Sequence, residues 1–490
     1  MSPDAPLVLF NSLSRAVEPF RPIDPANVRV YSCGPTVYAR QHLGNMRAYL
    51  FTDTLTRVLR WKGFPVTHVI NITDVGHLTS DADAGDDKME KAAAAEKLTA
   101  WDVAARYTAL FKADLNKLNV REPSKWSLAT DHIQDMIAFA ERIGGSTYDA
   151  PSGLYFDTTS VPNYGRLAGH RAGDTDAADA PEVGRIDSVE GKRHGADFAI
   201  WRRSEEPGKR QMEWPSPWGI GAPGWHLECS VMSIKYLGEQ FDIHTGGIDH
   251  REIHHPNEIA QNQAFTGTAR TGANVWMHNN FLVERGAKMS KSSGGFATLD
   301  TLIGAGVHPL AYRMLCLSAH YRSELEFSVE NVLAALTRLK RLAIAVEALR
   351  TAGGEASGTP DPRLDHQLAE FDAAVSDDLN TPRALTHLDA VMALKKVPAA
   401  DRLALAGRMD QVLGLGLLTL SRAELRIRPA GASLSEVEVE ALLVERKAAR
   451  AAKDFAAGDA IRDRLSAAGV EIMDGDPLGW DWRPTLGDAA

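Results

Sequence analysis

Lys288-Met289-Ser290-Lys291-Ser292, followed by Gly294-Gly295, sets two lysines three residues apart among small neighbours. Such a loop can fold over a triphosphate and neutralise charge as pyrophosphate leaves. Alone, a Lys-x-x-Lys pattern is more often a solvated surface loop. A second element stands far upstream, Pro35-Thr36-Val37-Tyr38 and then His42-Leu43-Gly44-Asn45. It opens a helix, where backbone N–H groups and the helix dipole favour phosphate. Metal-ligand chemistry is available from Cys33, Cys229, His254 and Glu258. His254 and Glu258 are four apart, so they share one helical face. Two cysteines, a histidine and a glutamate can hold zinc tetrahedrally. The spacing is weak by itself, because the donors come from three places, and His255 competes with His254. A lone buried Cys is usually a small core hydrophobe, and Cys316 in Met314-Leu315-Cys316-Leu317 reads that way.

These residues need a scaffold. Residues 28–33 alternate and are β-branched, so they read as a strand. Residues 45–61 show helical periodicity, stopped by Gly63 and Pro65, and 66–72 is a second strand. That strand–helix–strand unit is the building block of a parallel nucleotide-binding sheet. From about 80 to 223 the character changes to a helical stretch (88–118) and short strands near 154–156 and 198–201. This reads as an insertion. The sheet pattern resumes at 241–244 before Gly246-Gly247; a helix over 255–265 and a strand over 275–283 come next. After 302 the pattern is helical, and Asn380-Thr381-Pro382 is a good helix start. Gly431-Ala432-Ser433 reads as a linker to a helical unit over 434–465. The expected fold class is α/β. A Rossmann-type parallel-sheet catalytic domain in two halves (1–94 and 224–305) carries a connective insertion (95–223). A helical stem or bundle (306–430) and a small C-terminal unit (434–490) complete the chain.

Composition sets bounds. At 490 residues, about three domains are expected. Hydrophobic content of 44% and charged content of 24% suit an ordinary globular protein. No apolar run approaches the ~20 residues of a membrane span. The first residues lack a secretory pattern. Three cysteines in so long a chain are no disulfide framework, and a reducing cytoplasm is the expected compartment. A net charge of −10 neither advertises nor excludes nucleic acid, since local charge touches phosphate. Asp81, Asp83, Asp86 and Asp87, and the acidic tract 173–187, read as solvated loops.

The histidine and lysine elements together resemble the two signature motifs of class I aminoacyl-tRNA synthetases, with Asn45 where many members carry His. The resemblance becomes specific in Cys33-Gly34-Pro35-Thr36-Val37-Tyr38, Asn71-Ile72-Thr73-Asp74, the segment 224–230 and His254-His255-Pro256-Asn257-Glu258. Ala319-His320-Tyr321-Arg322-Ser323 and Asp378-Leu379-Asn380-Thr381-Pro382 add to it. These are similar to cysteinyl-tRNA synthetase from about residue 31 to 330, and more weakly to the end.

The resemblance implies zinc held by Cys33, Cys229, His254 and Glu258, binding the substrate thiolate directly. Cysteine and serine differ by one atom, and pocket shape discriminates weakly between near-isosteres. A thiolate forms readily on a metal, whereas an un-ionised hydroxyl is a poor ligand. The resemblance further implies that His42, Asn45, Lys288 and Lys291 stabilise adenylation. ATP, with magnesium and no protein cage for it, would lie along Thr36, His42, Gly44, Asn45, Gly247, Asp249 and Lys291. Gly34, Thr73 and Trp225 would line the cysteine pocket. By themselves His42 reads as a helix cap, Gly246-Gly247-Ile248-Asp249 as a turn and Trp225 as core. Three segments depart from the family pattern. Ser293-Gly294-Gly295 stands where Leu-Gly-Asn is usual, Pro256 replaces a frequent Glu, and His250-Arg251-Glu252-Ile253 replaces an apolar stretch.

The expected reaction is ligation of L-cysteine to tRNA(Cys) through cysteinyl adenylate, by a cytoplasmic monomer without membrane partners. One alternative is a paralogous ligase passing the adenylate to an amino sugar. The residues 434–482 argue against it. Another is a non-catalytic RNA-binding relative, which has no need of His42, Asn45, Lys288 or Lys291. In the C-terminal unit, Arg446, Lys447, Arg450 and Lys453 with Trp480, Trp482 and Arg483 suit unstacked anticodon bases. They read equally as a charged helix with a terminal hydrophobic clasp.

Overall fold

The computed structural model describes residues 4–76, 87–169, 191–284, 298–356 and 361–486, and the backbone of 287–288. Its centre is a five-stranded parallel sheet. The spatial order is Ala273–Asn279, Phe241–Gly247, Val28–Ser32, Val66–Ile72 and Lys125–Leu128. Numbered along the chain this is 5-4-1-2-3, so strand order reverses between Val28–Ser32 and Phe241–Gly247. Ligands of open α/β sheets bind at the carboxyl ends of strands at that reversal.

The central strands are buried on both faces, as parallel sheets require, whereas the edge strand Lys125–Leu128 is largely half-buried or exposed. Val28, Val30, Ile70, Ile72, Ile243 and Met277 pack with the helix Leu43–Trp61. Tyr31, Val69 and Trp276 face the other way, onto the helices Ile133–Arg142, Trp225–Leu237 and His254–Thr266. Leu43–Trp61 ends where Gly63 takes φ +86°, a conformation costly for any residue with a Cβ.

Several elements differ from the sequence expectation. The edge strand Lys125–Leu128 falls inside the stretch 95–223, yet it belongs to the parallel sheet. The separate antiparallel sheet of that stretch begins only at Thr147. It contains Thr147–Ala150, Gly153–Phe156, Phe198–Arg203 and Gly221–Pro223. The helical stretch 88–118 is two helices, Lys88–Glu96 and Ala100–Lys117. Lys97 turns left-handed at φ +56° and Thr99 opens the second helix with a capping box. Asp87 is not a solvated loop residue. It is buried, caps Lys88–Glu96 through Met89 N at 2.8 Å, and pairs with Arg210. Asp81, Asp83, Asp86 and the tract 173–187 lie outside the described residues.

The stretch 275–283 also divides. Ala273–Asn279 stays in the parallel sheet. Leu282–Glu284 leaves it to pair with Ala287–Lys288 and Leu325–Glu326. The helices Val329–Ala352, Pro362–Ser376, Thr381–Ala393 and Ala399–Leu413 form the stem and share a core with Leu43–Trp61. Asn380 caps the third of them, accepting from Arg383 N at 3.2 Å, as the Asn-Thr-Pro start predicts.

The C-terminal unit pairs helices Glu436–Ala451 and Phe455–Ala467 with the strands Val470–Ile472 and Trp480–Trp482. Lys453, at φ +63°, separates the two helices. Trp480 and Trp482 are 0% and 2% exposed and pack with Val439, Leu442 and Leu465, so they are this unit's core and not a surface for bases. Among the described residues no helix is long and apolar enough to cross a membrane.

Candidate active site and metal centre

Cys33 follows the last residue of the strand Val28–Ser32, at the reversal point of the sheet. Ser32 Oγ bonds Thr245 Oγ1 at 2.7 Å across that point, tying the two central strands together. Cys229 comes from the helix Trp225–Leu237, and His254 and Glu258 from the first turns of His254–Thr266. Pro256 sits in the first turn of that helix and leaves the pair on one face. The four donor atoms lie within 4.8 Å of one another, and all four residues are buried.

The spacing fits a metal. Cys33 Sγ and Cys229 Sγ are 4.0 Å apart. Two tetrahedral bonds of ~2.3 Å to zinc would place two sulfurs about 3.8 Å apart. Glu258 Oε1 is 3.1 Å from His254 Nε2 and 3.9 Å from Cys33 Sγ. A second donor set, Cys33, His244, His255 and Glu258, meets the same spacing and shares two residues with the first. The competition between His254 and His255 is therefore real in space as well as in sequence.

Beyond His255, the surrounding histidines His226, His244 and His278 were not assigned from the sequence. His244 Nε2 meets Glu258 Oε2 at 2.8 Å. His226 Nδ1 meets His254 Nδ1 at 2.9 Å. His255 Nδ1 meets His278 Nε2 at 2.7 Å, and His278 Nδ1 meets Ser12 Oγ at 2.8 Å. The signal available was the run of histidines on the strands and helix next to the quartet. Their convergence depends on strand order, which no local pattern contains.

Electrostatics poise the donors. Burial pushes the Cys33 thiol well above its ordinary range. Cys229 is held down to about 6, first by its hydrogen bond with Cys33 and against burial. Burial works against the charge on Glu258, but His244 and His254 hold it down to about 2. Glu228 stands apart: burial and the neighbouring Cys229 push it up to about 8, and Thr73 Oγ1 donates to its Oε2 at 2.8 Å.

The residues expected around substrate cysteine surround this centre. Gly34 N donates to Asn71 Oδ1 at 2.7 Å, and Asn71 Nδ2 donates to Thr73 Oγ1 at 3.2 Å. A Cβ on Gly34 would stand 1.5 Å from the Asn71 carbonyl oxygen, so only glycine fits. The half-buried Trp225 ring lies 4.4 Å from the His254 ring and 6.0 Å from the His250 ring.

Of the residues expected along ATP, the described ones lie at or just past the ends of the two central strands or at the start of the helix Leu43–Trp61. His42 is the N-cap of Leu43–Trp61, its Nδ1 accepting from Asn45 N at 3.2 Å. The helix-capping reading is thus correct, and it coexists with a position at the positive end of the helix. Tyr312 OH donates to Leu43 O at 2.6 Å and props that end. Thr36 is bridged to Thr73. Gly246 and Gly247 end the neighbouring strand, and the exposed Asp249 follows in the turn Ile248–Arg251. Lys288 pairs through its backbone with Val283. Past the lysine motif the backbone of Thr298 is bridged to His42. Lys291 and Ser293-Gly294-Gly295 lie outside the described residues. Cys316 is partly buried against the core, as expected.

Comparison with known proteins now bears on the whole chain. Residues 19–337 match the family described as class I (C) tRNA synthetase catalytic domain. Residues 435–483 match that described as cysteinyl-tRNA ligase anticodon binding domain. A cysteine–tRNA ligase of Zymomonas mobilis subsp. mobilis is 61% identical, covering 98% of this chain and 99% of the relative. One of Novosphingobium aromaticivorans is 60% identical, with 98% of each covered. Among solved structures, Mycobacterium tuberculosis methionyl-tRNA synthetase with methionyl-adenylate is similar at TM-score 0.51 and 13% identity. It covers 82% of this chain and 91% of its own. That likeness shows a shared fold.

Proposed function

The chain belongs to the cysteinyl-tRNA synthetase family, and from that premise we propose how its own residues divide the work of the reaction. Its activity is ATP-dependent ligation of L-cysteine to tRNA(Cys).

The observation that carries the residue-level reading is the buried quartet at the sheet's reversal point. We assign Cys33, Cys229, His254 and Glu258 as ligands of one zinc ion. A zinc ion held by these four residues would supply Lewis-acid affinity for the substrate's thiolate, which a serine hydroxyl would match poorly. His244 and His255 are read as supports: His244 orients Glu258 through its second oxygen, and His255 hands its Nδ1 to His278. Gly34, Thr73 and Trp225 hold the rest of the amino acid, with Trp225 as an apolar wall.

For ATP, Thr36, Gly44, Gly247 and Asp249 flank the nucleotide, Asp249 toward the ribose hydroxyls. Magnesium accompanies the phosphates. The cysteine carboxylate attacks the α-phosphorus and pyrophosphate leaves. His42 and Asn45 stabilise charge on the α-phosphoryl group, and Lys291, with Lys288 in support, follows the leaving pyrophosphate. Such a transfer needs mainly positioning and charge stabilisation. A ribose hydroxyl of the terminal adenosine of tRNA then attacks the cysteinyl carbonyl, and AMP leaves. The catalytic domain spans 1–94 and 224–305, with the edge strand Lys125–Leu128 added to it. The remainder of 95–223 is connective, 306–430 is stem and 434–490 meets the anticodon. The protein is read as a cytoplasmic monomer.

The test is cysteine-dependent pyrophosphate exchange followed by acylation of purified tRNA(Cys). Both are expected. Exchange without tRNA charging would point to the amino-sugar ligase instead, and absent exchange would overturn the adenylate reading.

A further inference from the structure

Arg47 lies on the helix Leu43–Trp61, a little over one turn beyond His42. It is 3% exposed, and burial lowers the pKa of its guanidinium. Among the described residues no carboxylate forms an ion pair with it. Its hydrogen bonds go to backbone carbonyls of two separate segments. Nη1 donates to Asn280 O at 2.9 Å and to Phe281 O. Nη2 donates to Ser323 O at 2.5 Å and to His320 O at 3.4 Å. A buried charge without a counter-ion is costly. What a guanidinium offers in return is a rigid planar fork of donors, which an ammonium on a flexible stem does not reproduce.

The two segments matter because they frame the strand that leads to the lysine motif. Asn280-Phe281 runs straight into Leu282–Glu284, whose Val283 pairs with Lys288 of that motif. Leu282 is buried and approaches Gly44, where an added Cβ would lie 3.9 Å from its side chain. Gly44 and Arg47 are three apart, so one face of the motif helix receives the whole segment. From the other side, 320–327 secures the same segment. Asn280 N donates to Tyr321 O at 2.9 Å, Leu325 N to Phe281 O at 3.0 Å and Phe327 N to Val283 O at 2.8 Å. Arg47 is the point where helix, segment and support meet.

We propose that Arg47 is a positioning residue for adenylation: its guanidinium sets the register between the helix that begins at His42 and the strand that delivers Lys288. It touches neither ATP nor cysteine. The proposal rests on the assigned roles of His42 and the two lysines, and the test separates its failure from theirs. A displacement of about 1 Å between groups that act together on one transition state can cost about a hundredfold in rate.

The experiment is pyrophosphate exchange per active site, with sites titrated by adenylate formation, in Arg47→Lys and Arg47→Met. Arg47→Lys keeps the charge and loses the fork. It is expected to lower kcat of exchange about tenfold or more and raise the KM for ATP. The KM for cysteine, metal content and Tm should stay near those of the parent. A fall in Tm and in titratable sites, with exchange per remaining site within about twofold, would mean a merely structural staple and overturn the proposal. Exchange unchanged in both variants would overturn it too.

A double-mutant cycle makes the second readout. In a Lys288→Ala, Lys291→Ala background, Arg47→Lys should cost no more than about threefold, because the groups it places are gone. Full additivity would sink the proposal while leaving the lysines' own role intact. If Lys288→Ala, Lys291→Ala alone leaves exchange unchanged, the lysine assignment has failed and the register proposal falls with it.

Discussion

His254 Nε2 and Glu258 Oε1 stand 3.1 Å apart across one helical turn, both out of solvent. In the metal-free protein this pair has a pH signature. Burial opposes the charge on Glu258, yet His244 and His254 bring it from an ordinary 4.5 to about 2. Burial likewise opposes charge on His254, yet Glu258 raises it from 6.5 to about 10. The lowered Glu258 value contributes stability present above pH 4.5 and lost as pH falls toward about 2. The raised His254 value contributes stability fully present below 6.5 and lost as pH rises through about 10. The Tm difference between chelated parent protein and chelated Glu258→Gln, which isolates the pair, should therefore be largest between about pH 4.5 and 6.5 and shrink on either side. Tm profiles of the two proteins from pH 2 to 10 check this, and profiles of identical shape would show that the pair does not act.

With metal present, Cys229→Ser should lose it. The serine hydroxyl is a poor ligand, and replacing a thiolate by it removes one of the two soft donors of the proposed zinc site. Metal per chain, measured by elemental analysis, is expected to fall well below half. The KM for cysteine should rise about tenfold or more, and the KM for ATP should hold. Zinc at full occupancy in this variant would move the assignment to the second donor set, which lacks Cys229.

Why the quartet was legible and its surroundings were not is a matter of range. His254 and Glu258 share a local helical period, but it is the family resemblance of the segments holding Cys33, Cys229, His254 and Glu258 that joins the four. His244 and His278 lie on adjacent parallel strands, and only strand order brings both to His255. The strand Lys125–Leu128 has four residues and one large aromatic, too little alternation to mark an edge strand. Trp480 and Trp482 were open to two readings because aromatics beside basic residues look alike in a base platform and a small core. Val439, Leu442 and Leu465, which bury them, decide it.

Trp225 tests the proposed wall of the cysteine pocket. Its ring packs on His254 without being a metal donor. Trp225→Ala should retain metal and lower kcat/KM for cysteine by about 10–200-fold, the range for losing apolar contact with a small side chain. Trp225→Phe should fall between. A variant that loses metal but keeps cysteine affinity would mean the ring supports His254 and not the substrate.

His42 does two things, and substitution can separate them. As N-cap it satisfies Asn45 N. His42→Ala should cost about 1 kcal/mol of stability through the lost cap. It should also lower exchange by about 10²–10³-fold, the scale for removing one donor to developing charge. His42→Asn restores a good cap without an imidazole, so Tm should recover while exchange stays low. Recovery of both would reduce His42 to a helix cap.

Asp481, 3% exposed, accepts from Lys340 at 2.6 Å and pairs with Arg422, which also meets Asp476 at 2.9 Å. Lys340 belongs to the stem helix Val329–Ala352, so one carboxylate joins the stem to the unit matching an anticodon binding domain. Asp481→Asn removes a charge from a buried network and leaves Lys340 without its carboxylate while Arg422 keeps Asp476, so the loss should stay below the about 3–5 kcal/mol of a fully unpaired buried charge. That loss falls on the docking of the unit, and none of these pairs of Asp481, Lys340, Arg422 and Asp476 involves a residue of the quartet. Cysteine-dependent pyrophosphate exchange should therefore be unchanged, while the KM for tRNA(Cys) rises about tenfold or more. Equal losses in both assays would show that the ion pairs support the catalytic domain itself, and the joint would then have no specific part in presenting the tRNA.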